Sequence, residues 1–249
     1  MTSSQIIVLI TGANQGIGFE TARNLLLTSS DYHVLLGTRD LSKGADAVSA
    51  LETAPIKGTV KPLQIDITDD SSVDAAASLV ETTYGRLDLL VNNAGIFSKN
   101  PIKREAARET LAVNVVGNIS VTEAFIPLLR KSSAPRLIFV SSSVGSITHA
   151  ADPKSPYFSR EGAASEYRAS KAALNMYIVN YHKKLSPEGF KVFGADPGLV
   201  VTNLMNAENQ RARGGVEGHV GGERIATVVK GERDADVGRV CGVYGVSPW

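Results

Sequence analysis

Thr11-Gly12-Ala13-Asn14-Gln15-Gly16-Ile17-Gly18 is the stretch on which the reading of this chain turns. It lies between an apolar run, Ile6-Ile7-Val8-Leu9-Ile10, and the helix-patterned segment Phe19-Glu20-Thr21-Ala22-Arg23-Asn24-Leu25-Leu26-Leu27. Strand, glycine turn and helix in that order form a site for a dinucleotide pyrophosphate. Gly12 allows a sharp turn, Gly16 leaves the phosphates unobstructed, and Gly18 lets the helix pack closely on the strand. Free N–H groups at the helix start, with the positive end of its dipole, would face the phosphate charge. The spacing is G-x-x-x-G-x-G, not the more common G-x-G-x-x-G. An ordinary strand-to-helix turn would look the same locally, so the rest of the chain must decide.

Working outward, buried-strand runs recur between helix-like segments: Tyr32-His33-Val34-Leu35-Leu36-Gly37, Val60 to Ile65, Leu87-Asp88-Leu89-Leu90-Val91, Arg136-Leu137-Ile138-Phe139-Val140, Lys191-Val192-Phe193-Gly194-Ala195, and Val240 to Val246. Helices are expected at Leu41 to Glu52, Ser71 to Tyr84, about Lys103 to Leu129, and about Ala163 to Leu185. Alternating strands and helices without tight hairpin signals predict an α/β fold, a doubly wound parallel sheet of seven strands. Continuous apolar runs fit strands covered on both faces. No composition break marks a second domain, so residues 1–249 read as one domain. Two stretches break the rhythm. His149 to Gly162 reads as an inserted loop, and Asn206 to Gly222, with five glycines, reads as a mobile segment and lid.

Composition excludes several classes. A net charge of +1 offers no field for nucleic acid or anionic membrane. One cysteine, Cys241, rules out an intrachain disulfide and a cysteine metal cluster. His33, His149, His182 and His219 lack metal-ligand spacing, so no metal is expected. No stretch is read as long enough to cross a membrane and no secretory signal is read at the start, which makes a soluble cytoplasmic protein the expectation.

The sharpest chemical signal is Tyr167-Arg168-Ala169-Ser170-Lys171. Tyr167 and Lys171 share one helix face. A free tyrosine ionises near pH ~10, and a neighbouring ammonium lowers that value, giving a proton donor for a carbonyl oxygen. Upstream, Ser141-Ser142-Ser143 ends the fifth strand, where a serine could bind a substrate oxygen. Asn92-Asn93-Ala94-Gly95 ends the fourth, with small and amide residues that permit close approach of a ligand. Asn114 lies in an apolar helical stretch and needs a partner or marks a kink. Asp196-Pro197-Gly198 redirects the chain after the sixth strand.

In this order and spacing, these motifs resemble the short-chain dehydrogenase/reductase family over nearly the whole chain, Ile6 to about Val246. The resemblance implies a single Rossmann-type domain and hydride transfer with a nicotinamide cofactor. It implies Tyr167 as proton donor, Lys171 as its partner and nicotinamide-ribose ligand, Ser142 as the group orienting the carbonyl, and Asn114 as holder of a relay water. Ser142 is chosen over its neighbours because Gly145 sets the register. The cofactor would meet Gly12, Asn14, Gln15, Gly16, Ile17 and Gly18, with Asp66 at the adenine, Asn93 and Gly95 beside it, and Val200 and Thr202 at the nicotinamide carboxamide.

Thr38 and Arg39 follow the second strand, where NAD-binding members carry an acid on the ribose 2′-hydroxyl. A guanidinium can grip a 2′-phosphate instead, with Lys43 nearby, so NADP(H) is expected. Ser142 and Tyr167 are 25 residues apart, about twice the usual family gap. The extra residues, about 149–162, resemble the insertion of carbonyl-reductase-like members. The expected reaction is reduction of a ketone or aldehyde, a small carbonyl substrate with apolar character judging from Phe97, Val144, Phe158, Leu199 and Met205, and with a substrate loop at about 199–222. Rival readings are a catalytically silent NADP-binding regulator or scaffold, and an alcohol dehydrogenase working oxidatively. Pairing into a homodimer or homotetramer would use the helices bearing Asn114 and Tyr167, a face that the insertion could block.

Overall fold

The computed structural model describes residues 5–249. Eight strands form one sheet: β1 (Ile6–Ile10), β2 (Tyr32–Thr38), β3 (Thr59–Gln64), β4 (Leu89–Asn92), β5 (Arg136–Val140), β6 (Lys191–Ala195), β7 (Val240–Gly242) and β8 (Gly245–Ser247). Their order is β3-β2-β1-β4-β5-β6-β7-β8. The first seven run parallel, as expected. The expected seventh strand, Val240 to Val246, is divided by a turn, and its second half folds back antiparallel as β8.

The helices are α1 (Gly16–Thr28), α2 (Leu41–Glu52), α3 (Asp70–Tyr84), α4 (Lys103–Leu111), α5 (Asn118–Leu129), α6 (Ile147–Ala151), α7 (Ser165–Leu185), α8 (Ala207–Ala212) and α9 (Gly218–Lys230). The two faces of β1 explain the layers. Val8 and Ile10 point into one core with Leu25 and Leu26 of α1 and Ile225 of α9. Ile7 and Leu9 point into the other with Val80 of α3, Phe125 of α5 and Ile178 of α7. This period-two division is what a strand buried on both sides requires.

Strand order reverses between β1 and β4, which pair Ile10 with Val91. A crevice opens at such a switch point beyond the strand ends. Gly12 and Asn93 leave the sheet side by side there.

Three local departures affect the site. The expected single helix 103–129 is broken by a π-helical turn, Ala112–Gly117, which contains Asn114. This run is in fact long and apolar enough to span a membrane, contrary to the reading from sequence, but half of its apolar window is buried within the protein. The inserted stretch opens with a helical turn, since His149 to Ala151 belong to α6. The stretch 206–222, read as mobile, forms α8 and the start of α9.

Candidate active site

α2 and α3 begin with aspartate caps: Asp40 accepts from the N–H groups of Ser42 and Lys43, and Asp69 from that of Ser71. α1 differs. Gln15 precedes it without a side-chain cap, and its first turn carries no acid. Its leading N–H groups are therefore left for an outside anion. Gly12 and Gly16 have φ of +62° and +61°, in the left-handed region. A Cβ on Gly16 would meet only the Thr202 side chain, 3.9 Å away, so the turn opens into space. A Cβ on Gly18 would fall 2.5 Å from Asn93 Nδ2, so the close approach expected there is real.

The turn is fastened to β4. Asn93 Nδ2 donates to the carbonyls of Thr11 (2.8 Å) and Gly12 (3.2 Å), while the Thr11 hydroxyl accepts from the N–H groups of Asn93 and Ala94, both at 3.0 Å. Asn93 thus spends its amide N–H groups inside the protein. Half-buried Ile17 packs against the core on the α1 side. Gln15 is exposed and accepts from Asn203 Nδ2 at 3.5 Å. A cleft of about 480 Å³ beside the turn is lined by Asn14, Gln15, Phe19, Lys43 and Asp46. Asp66, after β3, accepts from the N–H and hydroxyl of Thr68 through Oδ1.

At the end of β5 the three serines separate by their bonds. Ser141 Oγ donates to Asn175 Oδ1 at 2.5 Å, and Ser143 Oγ donates to Asp196 Oδ2 at 2.5 Å. Ser142 Oγ accepts a long bond from the Val144 N–H, 3.4 Å, and its own hydrogen has no acceptor among the described residues. Only Ser142 keeps a hydroxyl to offer.

α7 brings Tyr167 and Lys171 to the same place. Lys171 Nζ donates to the carbonyl of Val140 at 2.7 Å, two residues before Ser142. Gly145 permits this approach, because a Cβ there would fall 2.7 Å from Lys171 Cβ. The Tyr167 ring packs at 5.6 Å against Phe97 and 5.5 Å from Lys171 Nζ. Asn114 is fully buried. Its Oδ1 accepts from the Ile96 N–H, and its Nδ2 donates to the Ile96 carbonyl and to Ser170 Oγ. Its main-chain carbonyl accepts from Asn118 Nδ2 at 2.8 Å. The side chain clamps the loop after β4. Gly95 sits against this clamp, with Asn114 Oδ1 only 3.2 Å from the position of a Cβ.

The family profile described as short chain dehydrogenase matches residues 6–213. The chain belongs to the short-chain dehydrogenase family. It is an oxidoreductase. It is 38% identical over 253 residues to a short-chain dehydrogenase/reductase of Talaromyces stipitatus, covering 96% of this chain and 95% of that one. It is 31% identical to salutaridine reductase of Papaver somniferum, covering 75% of this chain and 70% of the relative. Among solved structures it resembles the NADPH-bound carbonyl reductase from chicken fatty liver, with a TM-score of 0.78, 26% identity, and coverage of 98% and 100%. A short chain dehydrogenase of Burkholderia cenocepacia in complex with NADP gives 0.78 at 25% identity, covering 97% and 98%.

Electrostatics in this short-chain dehydrogenase depart from the sequence expectation at one point. Burial pushes the Tyr167 phenol up, and the Asp196 carboxylate pushes it further in the same direction. Burial lowers the Lys171 ammonium to about 8, with Asp196 acting against it. The Lys171 amine donates to the Val140 carbonyl and stands 5.5 Å from the centre of the Tyr167 ring.

Val200 is buried and Thr202 half-buried on the stretch after β6. Arg39 is exposed, and its guanidinium has no partner among the described residues. Thr38 Oγ1 is bonded to the Asp40 carbonyl. Two residues escaped the sequence reading. Asp196 is a buried carboxylate that accepts from the N–H and hydroxyl of Ser143 and from the Gly198 N–H. An acid ending an apolar strand was its only signal. Gln210 is buried within a polar helix, and nothing in the local pattern distinguishes it from exposed Asn209.

Proposed function

We propose that this chain is an NADPH-dependent carbonyl reductase of ketones or aldehydes. The observation that carries the reading is the Lys171–Val140 bond, which brings the Tyr167 face of α7 to the strand end presenting the one uncommitted serine, Ser142. The glycine turn, the uncapped start of α1 and the open space at Gly16 fit a dinucleotide pyrophosphate. Bound NADPH supplies the hydride.

In this reading the residues divide the work. Gly12, Asn14, Gln15, Gly16, Ile17 and Gly18 hold the pyrophosphate, Asp66, Asn93 and Gly95 border the adenosine, and Val200 and Thr202 hold the nicotinamide carboxamide. Arg39 grips the 2′-phosphate. The nearest acid, Asp40, favours this choice over NAD, because its carboxylate is engaged as the cap of α2. Ser142 donates to the substrate oxygen and Tyr167 gives it a proton, so charge developing there meets two aligned donors. Lys171 binds the nicotinamide ribose, and the Asn114 carbonyl holds a relay water.

We read residues 1–249 as one domain, with the substrate loop at 199–222 and the insertion at 149–162. Arg168 of α7 donates to the Tyr157 carbonyl at 2.8 Å, and the Tyr157 ring packs tilted against His149 at 4.9 Å, which supports an insertion bordering the pocket. Phe97 on Tyr167 favours an apolar substrate. Val116 and Met176, 62% and 61% exposed, lie in or beside the helices carrying Asn114 and Tyr167 and support pairing as a homodimer or homotetramer. We place the enzyme in the cytoplasm, in keeping with its near-neutral charge and single buried thiol.

The test is titration with NADPH and NADH, then oxidation of each with a panel of ketones, aldehydes and quinones. NADPH should be preferred and turned over. Tyr167→Phe should lose at least about 100-fold in turnover while NADPH affinity stays within about twofold. Equal activity in that variant would overturn the mechanism.

A further inference from the structure

A buried side-chain amide must find both a donor and an acceptor. Gln210, 3% exposed on the otherwise polar α8, finds both in one place. Its Nε2 donates to the Val200 carbonyl at 2.6 Å, and its Oε1 accepts from the Thr202 N–H at 3.1 Å. These bonds fall on the two residues read above as the carboxamide holders. The same stretch is tied on its other side to Val216: the Val216 N–H donates to the Leu199 carbonyl at 2.9 Å, and the Val201 N–H to the Val216 carbonyl at 2.8 Å. The return of the chain is fixed by the Gly215 N–H donating to the Gln210 carbonyl at 2.8 Å, where a Cβ on Gly215 would be only 2.7 Å from that oxygen. An Arg211–Glu217 ion pair at 3.0 Å closes the loop outside.

What remains on the inner side is informative. The Val200 N–H has no partner among the described residues. The Thr202 hydroxyl accepts from the Leu204 N–H at 3.3 Å and keeps its own hydrogen to give. Val200 and Thr202 therefore keep for a ligand only groups that Gln210 does not use. If α8 moves away, the Val200 carbonyl and Thr202 N–H lose their partners, and the backbone is free to turn.

We infer that Gln210 is a positioning residue that sets the backbone of Val200 and Thr202 for the nicotinamide carboxamide, so that nicotinamide binding and folding of the substrate loop are coupled. This rests on the assignment of Val200 and Thr202 proposed above. The coupling is reciprocal: whatever favours the folded loop favours the nicotinamide, and by the same factor the reverse holds.

The decisive comparison is between NADPH and its adenine half, 2′,5′-ADP, which reaches the glycine turn and Arg39 but carries no carboxamide. Gln210→Met keeps the length and removes both bonds. Gln210→Glu keeps the acceptor for Thr202 and loses the donor to Val200. Both variants should weaken NADPH by about tenfold or more and leave 2′,5′-ADP within about twofold, and that retained affinity reports an intact fold. In the wild type, NADPH but not 2′,5′-ADP should slow tryptic cleavage after Arg211 and Arg213, and the variants should lose this protection. Equal weakening of both ligands, or unchanged protection by NADPH, would overturn the inference and leave Gln210 a packing residue. A wild type that binds NADH but not 2′,5′-ADP would overturn the NADP reading alone, and ADP-ribose against NADH would then make the same comparison for Gln210.

Discussion

Lys171 Nζ donates to the Val140 carbonyl at 2.7 Å while standing 5.5 Å from the centre of the Tyr167 ring, so the ammonium is bonded to the sheet and not to the phenol. Burial lowers Lys171 to about 8 and pushes Tyr167 up. In the free enzyme the phenol therefore stays protonated well beyond the pH at which the lysine loses its charge. The alkaline limb of kcat/KM for reduction should fall near pH 8 and belong to Lys171. Asp196 holds Lys171 up, so Asp196→Asn should move that limb to lower pH. A pH–rate series on both proteins checks this; a limb that stays in place would show that Asp196 does not act on Lys171.

Arg39 has a guanidinium without a partner among the described residues, beside Asp40, whose carboxylate is occupied in capping α2. A charge-assisted bond to a phosphate contributes about 1.5–3 kcal/mol. Arg39→Ala should therefore weaken NADPH by about tenfold or more and leave NADH nearly unchanged, as measured by titration of each. Equal losses for the two cofactors would place the 2′-phosphate elsewhere.

Away from the site, Arg136 and Lys191 hold Asp234 down from 3.8 to about 2. A depressed carboxylate adds stability above its unfolded value and loses it as pH falls through the folded value. With Asp234 about one-third exposed, solvent screening leaves about 1–2 kcal/mol. Asp234→Asn should lower the urea midpoint at pH 7 and at pH 5, and the gap should close between pH 4 and pH 2.

Ala164, the residue just before α7, has φ +60° and is the one non-glycine residue with positive φ among those described. A left-handed alanine is strained by about 1–2 kcal/mol, partly offset in glycine by the freer unfolded chain. Ala164→Gly should stabilise the protein by about 0.5 kcal/mol, visible as a small rise in Tm, with turnover preserved.

The sheet was legible because β1, β2, β4, β5 and β6 are continuous apolar runs, which only strands covered on both faces need to be. The division of the last strand was hidden: Val243 and Tyr244 look like strand residues, but they form the turn between β7 and β8, closed by the pairing of Gly242 with Gly245. Tyr167, Lys171 and the glycine turn could be singled out because each pattern lies within one segment. Asn114 could be singled out as a polar residue in an apolar helix, but its π-turn and its grip on Ile96 depend on a loop 18 residues away. Gln210 was hidden for the same reason: its partners lie outside its helix. The choice of Ser142 rests on register; of the three serines, Ser141 and Ser143 donate their hydroxyls to Asn175 and Asp196, which no local pattern shows.

The clasp of Asn93 and Thr11 has a consequence for how a ligand is received. Four hydrogen bonds join the glycine turn to the end of β4 across the seam where the sheet reverses. The turn cannot loosen without parting the two central strands, so it has the rigidity of the sheet and not that of a loop. The ordering entropy of the turn is met when the chain folds, and little is left to be met when a ligand arrives. On the reading proposed above, a pyrophosphate would meet a fixed mould at the glycine turn, whereas the nicotinamide would meet a stretch held by a single side chain of α8, which is the part that would settle around its guest.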